Sequence, residues 1–173
     1  MHKTMRTICL PIVICLAWSL PQQVAHAYSV SLADGASGPV VRWMDLPVGF
    51  YVHPSCSADL AATPCLNALR DSFEQWEIPG CTQMAFEELG TSNNLKLTAI
   101  GYNTNDKNEV GWIENNQWFY GEYTLGVTSP VYYTDGEIIE ADIAFNGYLQ
   151  TWSMSGQAYT TDVMNVAVHE IGH

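Results

Sequence analysis

Apolar and polar positions in this chain follow two periods, two residues and three to four, and the breaks between them mark out the elements. Val48–His53 alternates apolar and small residues as a strand does, and Val40–Met44 reads as a short first strand before it. Thr63-Pro64 puts a capping residue ahead of a proline at the first helical position. Leu66, Leu69, Phe73 and Trp76 then recur on one face until Pro79-Gly80 ends the helix. Met84–Leu89 and Leu95–Tyr102 read as two strands around Gly90-Thr91-Ser92-Asn93, and Val110–Glu114 follows the polar loop Asn103–Asn108.

Beyond Asn115-Asn116 the segment Gln117–Tyr123 is aromatic and irregular. Leu125–Tyr133 is a strand pattern interrupted by Pro130, which confines it to a sheet edge because proline offers no N–H to a second neighbour. Asp135-Gly136 is a hairpin signal, so Glu137–Asn146 is expected to return antiparallel to that edge strand. A loop through Tyr148, Trp152 and Tyr159 leads to a last helix. Thr160, Thr161 and Asp162 are its candidate caps, and Val163, Val166, Ala167 and Ile171 form its apolar face. Strand, long helix, several strands and a final helix predict an α+β domain, a single twisted mixed sheet with two packed helices. The aromatic residues Trp112, Trp118, Phe119, Tyr120, Tyr123, Tyr132, Tyr133, Tyr148 and Trp152 are expected mostly in the core or half-buried on the sheet.

The last helix carries the candidate chemistry. His169-Glu170-Ile171-Gly172-His173 is an H-E-x-x-H motif. Helical residues four apart have Cβ atoms about 5–6 Å from one another, so both imidazoles can reach one zinc ion at roughly 2.0–2.1 Å. Glu170 points elsewhere and stays free to act as general base on a metal-bound water. A catalytic zinc normally takes three protein ligands and keeps one position open, and this motif supplies two of them. The bland alternative is an amphipathic helix with two solvated histidines.

Composition narrows the setting. His2, Lys3 and Arg6, the apolar run Ile8–Leu20 and the A-x-A-like Ala25-His26-Ala27 make residues 1–27 a secretory signal, the run being short for an uncleaved anchor. The expected mature protein, residues 28–173, is one secreted, extracellular domain: a lead-in over residues 28–47, rich in glycine, serine and alanine, then a domain over residues 48–173. It holds all 18 acidic residues against Arg42, Arg70, Lys96 and Lys107, a formal charge of 4 − 18 = −14. Such a surface repels nucleic acid and anionic membranes, so neither is an expected partner, and a monomer is expected. The excess carboxylates also suggest calcium, on composition alone. Cys56, Cys65 and Cys81 remain in the mature protein, an odd count that implies one disulfide and a third thiol; Cys56 with Cys81 and Cys56 with Cys65 are both plausible pairings.

Five pieces occur in an order that resembles the metzincin clan of zinc endopeptidases, and within it the matrixin family in its small microbial form. They are Phe73-Glu74-Gln75-Trp76, Asn108-Glu109-Val110-Gly111-Trp112, Leu125-Gly126-Val127-Thr128, the run from Gly136 to Asn146, and Val166-Ala167-Val168 leading into the motif. The likeness spans about residues 48–173. It implies that His169 and His173 are zinc ligands, that Glu170 is the catalytic base, and that Leu125, Gly126, Val127 and Thr128 bind a protein or peptide substrate as an added antiparallel strand. The family signature extends to H-E-x-x-H-x-x-G-x-x-H and a methionine turn, so the domain is expected to be incomplete here, its C-terminal subdomain lying past His173. Many relatives carry a long propeptide whose cysteine caps the zinc; the stretch between Ala27 and Val48 offers no such segment, and latency by that route is not expected. Relatives also bind structural calcium. No calcium ligands are matched to residues here, and Asp142 reads equally as a strand-end carboxylate.

Two other readings fit the same residues. One is a secreted, catalytically inactive zinc- or protein-binding domain, held weakly at a frayed helix end. The other is a thermolysin-type peptidase, whose third ligand is a distant glutamate; Gly172 before the second histidine and the strand ending Phe145-Asn146 speak against it.

Overall fold

A computed structural model describes residues 30–80, 82–93 and 104–173. The expected signal, Cys81 and the expected strand Leu95–Tyr102 lie outside the described residues. Five strands form one mixed sheet in the order β2-β1-β3-β5-β4: β1 Val48–Val52, β2 Phe86–Thr91, β3 Glu109–Ile113, β4 Gly126–Tyr132 and β5 Ile138–Asn146. The β1–β2, β1–β3 and β3–β5 pairs are parallel; β4 and β5 are antiparallel, with Gly126 opposite Phe145 and Pro130 opposite Ala141. Pro130 therefore sits on the outer strand, where its missing N–H breaks no ladder.

Two helices, α1 Ala62–Glu77 and α2 Val163–Ile171, pack on the sheet. Alternate strand positions Phe50, Val52, Val110, Trp112, Ile143 and Phe145 meet Leu69 and Phe73 of α1 and Val163 and Ala167 of α2 in the main core. Phe50 and Phe73 stack with ring centroids 3.9 Å apart. The opposite side of the sheet is covered near its β4 end by Trp118, which packs with Ile113 and Ala144. The mixed sheet with two helices is the expected architecture. It is joined by a two-stranded parallel ladder, β6 Trp152–Ser153 with β7 Thr161–Asp162, where the sequence gives only a loop.

Three local expectations need correction. Helix α1 begins at Ala62, capped by Ala61 without a side-chain bond, instead of at a Thr63 cap. Pro64 is tolerated as the third helical residue because N–H groups of the first turn have no intrahelical partner to lose. Val40–Met44 is no strand but makes isolated bridges, Leu32 to Val40 and Arg42 to Glu137. Of the nine aromatic residues, Trp112, Trp118 and Trp152 are buried and Tyr120 half-buried, while Phe119 and Tyr123 in the loop before β4, Tyr132 at the end of that edge strand, and Tyr133 and Tyr148 in turns beyond strand ends are exposed, none of them packed in either core.

Cys56 and Cys65 form the disulfide, Cα to Cα 6.1 Å, tying the segment after β1 to the first turn of α1. No helix among the described residues is long and apolar enough to cross a membrane.

Candidate metal and substrate site

Helix α2 starts where Asp162 accepts the Asn165 N–H at 2.9 Å, one of the three candidate caps. Its far end, which bears the motif, has carbonyls without intrahelical partners and is held from two sides. Trp76 on α1 donates its indole N–H to the Val168 carbonyl at 2.8 Å. Thr128 on β4 places its hydroxyl 2.7 Å from the Glu170 carbonyl oxygen. The motif helix is thus fixed to both the other helix and the edge strand.

His169 lies within α2, whereas His173 lies just past its end, beyond the cap Gly172. Gly172 keeps right-handed helical angles, so the one-turn spacing survives: the two Nε2 atoms are 3.0 Å apart, with the rings nearly perpendicular at 86°. Both imidazoles are exposed. Two nitrogens bound tetrahedrally to one ion at roughly 2.0–2.1 Å stand about 3.3 Å apart, so the pair fits a shared zinc with small adjustment. Among the described residues no group of three or more His, Cys, Asp and Glu converges as a metal site.

Glu170, between them in sequence, is 6 % exposed. Its Oε2 lies 2.9 Å from the Thr128 hydroxyl. A Cβ on Gly126 would come within 2.8 Å of the Glu170 Cγ and 2.9 Å of its Oε1, so only glycine there leaves the carboxylate this seat. Gly126, Val127 and Thr128 are the first residues of β4 and Leu125 precedes it; the structure brings this expected substrate strand against the motif. Among the described residues β4 pairs only with β5.

No protein-family model and no curated protein matches the chain.

Two cavities meet at Gly126, His169 and Glu170. One, of about 410 Å³, is walled by Leu125, Asn165 and Val166. The other, of about 400 Å³, continues along Thr128 and Pro130 to His173 and is bounded by Ser31. Sequence reasoning named the motif and the strand. It missed the supporting roles of Trp76 and the Thr128 side chain, and Ser31 entirely, since nothing local in the lead-in signals proximity to a helix end far along the chain.

A separate acidic cluster closes the other end of β3 and β5. Glu109 and Glu140 are buried, and Asp142 accepts the Glu109 N–H at 2.9 Å. Asn105 supplies its side-chain N–H₂ to Glu109 at 3.1 Å and its backbone N–H to Glu140 at 2.8 Å, while Ser92 bonds Glu109. Burial, reinforced by the charges of Glu140 and Glu109, raises the Asp142 pKa to about 7, with the Glu109 N–H working against the shift. The three carboxylates gathered here are engaged with protein donors.

Proposed function

We propose that this protein is a secreted zinc endopeptidase that hydrolyses peptide bonds in proteins. The observation that carries the reading is the division of labour in one helix turn: two exposed imidazoles with Nε2 atoms 3.0 Å apart, and between them in sequence a buried carboxylate held by the Thr128 hydroxyl. His169 and His173 are the residues that would hold zinc, which when bound supplies Lewis acidity toward a carbonyl and a more acidic water. Neutral Nε2 atoms are the required ligand form.

Glu170 takes a proton from the attacking water on its carboxylate and later releases it to the leaving amine. The Thr128 hydroxyl and the glycine at 126 hold that carboxylate in one orientation, so the proton acceptor does not have to be found anew in each cycle. The outer edge of β4 offers backbone groups to an extended peptide, and the cavities on either side of Gly126 take its side chains. The resemblance to the matrixins supports the same assignment. The test is hydrolysis of denatured casein by the zinc-loaded full-length protein, compared with H169A, H173A and E170Q: both histidine variants are expected to lose zinc, and E170Q to keep zinc and lose hydrolysis.

A further inference from the structure

The segment 31–41 folds as a hairpin, joined to the sheet through the adjoining Arg42. Leu32 and Val40 form an antiparallel bridge, with Val41 N–H to the Ser31 carbonyl and Ala33 N–H to the Pro39 carbonyl, both at 2.9 Å. The turn is pinned by the Asp34 carboxylate, which accepts the backbone N–H groups of Ala36 at 3.1 Å, Ser37 at 2.7 Å and Gly38. These bonds lower the Asp34 pKa to about 2.

The hairpin's second arm is tied to the start of β5. Arg42 N–H donates to the Gly136 carbonyl at 2.8 Å, and Ile138 N–H donates to the Arg42 carbonyl at 2.9 Å. Gly136 has φ 90°, and a Cβ there would run into the Val40 carbonyl, so this glycine serves both the β4–β5 turn and the close approach of the lead-in. The consequence lies at the other arm. Ser31 is delivered to the cavity that holds Thr128, Pro130 and His173, and it takes no part in the cavity walled by Leu125 and Asn165.

Strand β4 runs from Gly126 to Tyr132. A peptide laid antiparallel on its outer edge has its N-terminal half beside Thr128 and Pro130 and its C-terminal half beside Leu125 and Gly126. From this placement we infer that the hairpin 31–41 is a fixed wall of the substrate cleft and that Ser31 contacts the peptide residues on the N-terminal side of the cleaved bond. The inference rests on the peptidase reading and adds to it a specificity-determining residue outside the domain expected from sequence. Ser31 is exposed and small, so this side of the cleft accepts bulk that a larger residue at 31 would exclude.

The experiment is a mass-spectrometric profile of the bonds cut in denatured casein by the zinc-loaded full-length protein, by S31W and by D34A, each checked for its thermal unfolding midpoint. S31W is expected to unfold as the parent does, to lower kcat/KM roughly tenfold through KM, and to select smaller residues on the N-terminal side of the cut while leaving preferences on the other side unchanged. D34A, which releases the turn without entering the cleft, is expected to broaden selection on that same side. Identical cleavage profiles for the parent and S31W overturn the wall and leave the peptidase reading standing. A parent protein that binds zinc and cuts nothing overturns both.

Discussion

The Thr128 hydroxyl lies 2.7 Å from the carbonyl oxygen of Glu170 and 2.9 Å from its Oε2, so one side chain on the edge strand touches both backbone and carboxylate of the residue assigned as base. Having one proton to give, Thr128 serves the two oxygens in alternation. T128V keeps the shape and removes the donor. It is expected to cost about 1 kcal/mol of stability and to lower kcat about tenfold while zinc affinity changes little, as read by calorimetric zinc titration beside peptide hydrolysis. A parallel loss of zinc affinity would show that Thr128 serves the whole helix end and not the carboxylate.

Gly126 tests the same seat sterically. The added Cβ of G126A would press on Glu170 Cγ and Oε1, and a displacement of about 1 Å at a catalytic group costs roughly a hundredfold in rate. Hydrolysis by G126A is expected to fall by about that factor with its zinc content unchanged. Parent-like turnover would mean that Glu170 works from another position.

The clamp from the other side is Trp76, whose indole N–H reaches the Val168 carbonyl at 2.8 Å. W76F removes that bond and leaves a carbonyl near the helix end less satisfied. A loss of about 1 kcal/mol is expected, roughly 2–4 °C in the unfolding midpoint. An unchanged midpoint would show that the Trp76 bond adds nothing measurable to the hold on α2.

Asp142 gives a pH dependence of defined sign. Its pKa in the fold is raised from 3.8 to about 7, so the folded chain binds this proton more tightly than the unfolded one. The favourable contribution is complete below the unfolded value, and it is lost as pH rises from about 4 through about 7. D142N keeps an oxygen for the Glu109 N–H and removes the charge. Thermal unfolding of D142N is expected to vary less with pH over this window and to exceed the parent at about pH 8. Equal slopes for the two proteins would rule out Asp142 as the titrating group.

The sequence is most legible where a signal is local. Asp135-Gly136 and Pro130 foretell the β4–β5 hairpin and its edge position, because turn chemistry and a missing N–H act within a few residues. Asp162 is readable as a cap for the same reason. Among the described residues, what sequence leaves hidden is long-range: the bridge from Arg42 to Glu137, the reach of Ser31 into the cleft, and the bond between Trp76 and Val168 join segments whose pairing no local pattern encodes. The aromatic run before β4 misleads because composition reports apolar area and not which side of a strand has a layer to pack on.

The central claim is that Glu170 is a base kept apart from the metal it assists. Zinc stoichiometry and casein hydrolysis measured side by side on the full-length protein and its E170Q variant test it most directly. Equal zinc content with hydrolysis reduced by roughly a hundredfold or more is the expected result. Equal hydrolysis by the two proteins, or a parent that holds zinc and cleaves no polypeptide, would contradict it.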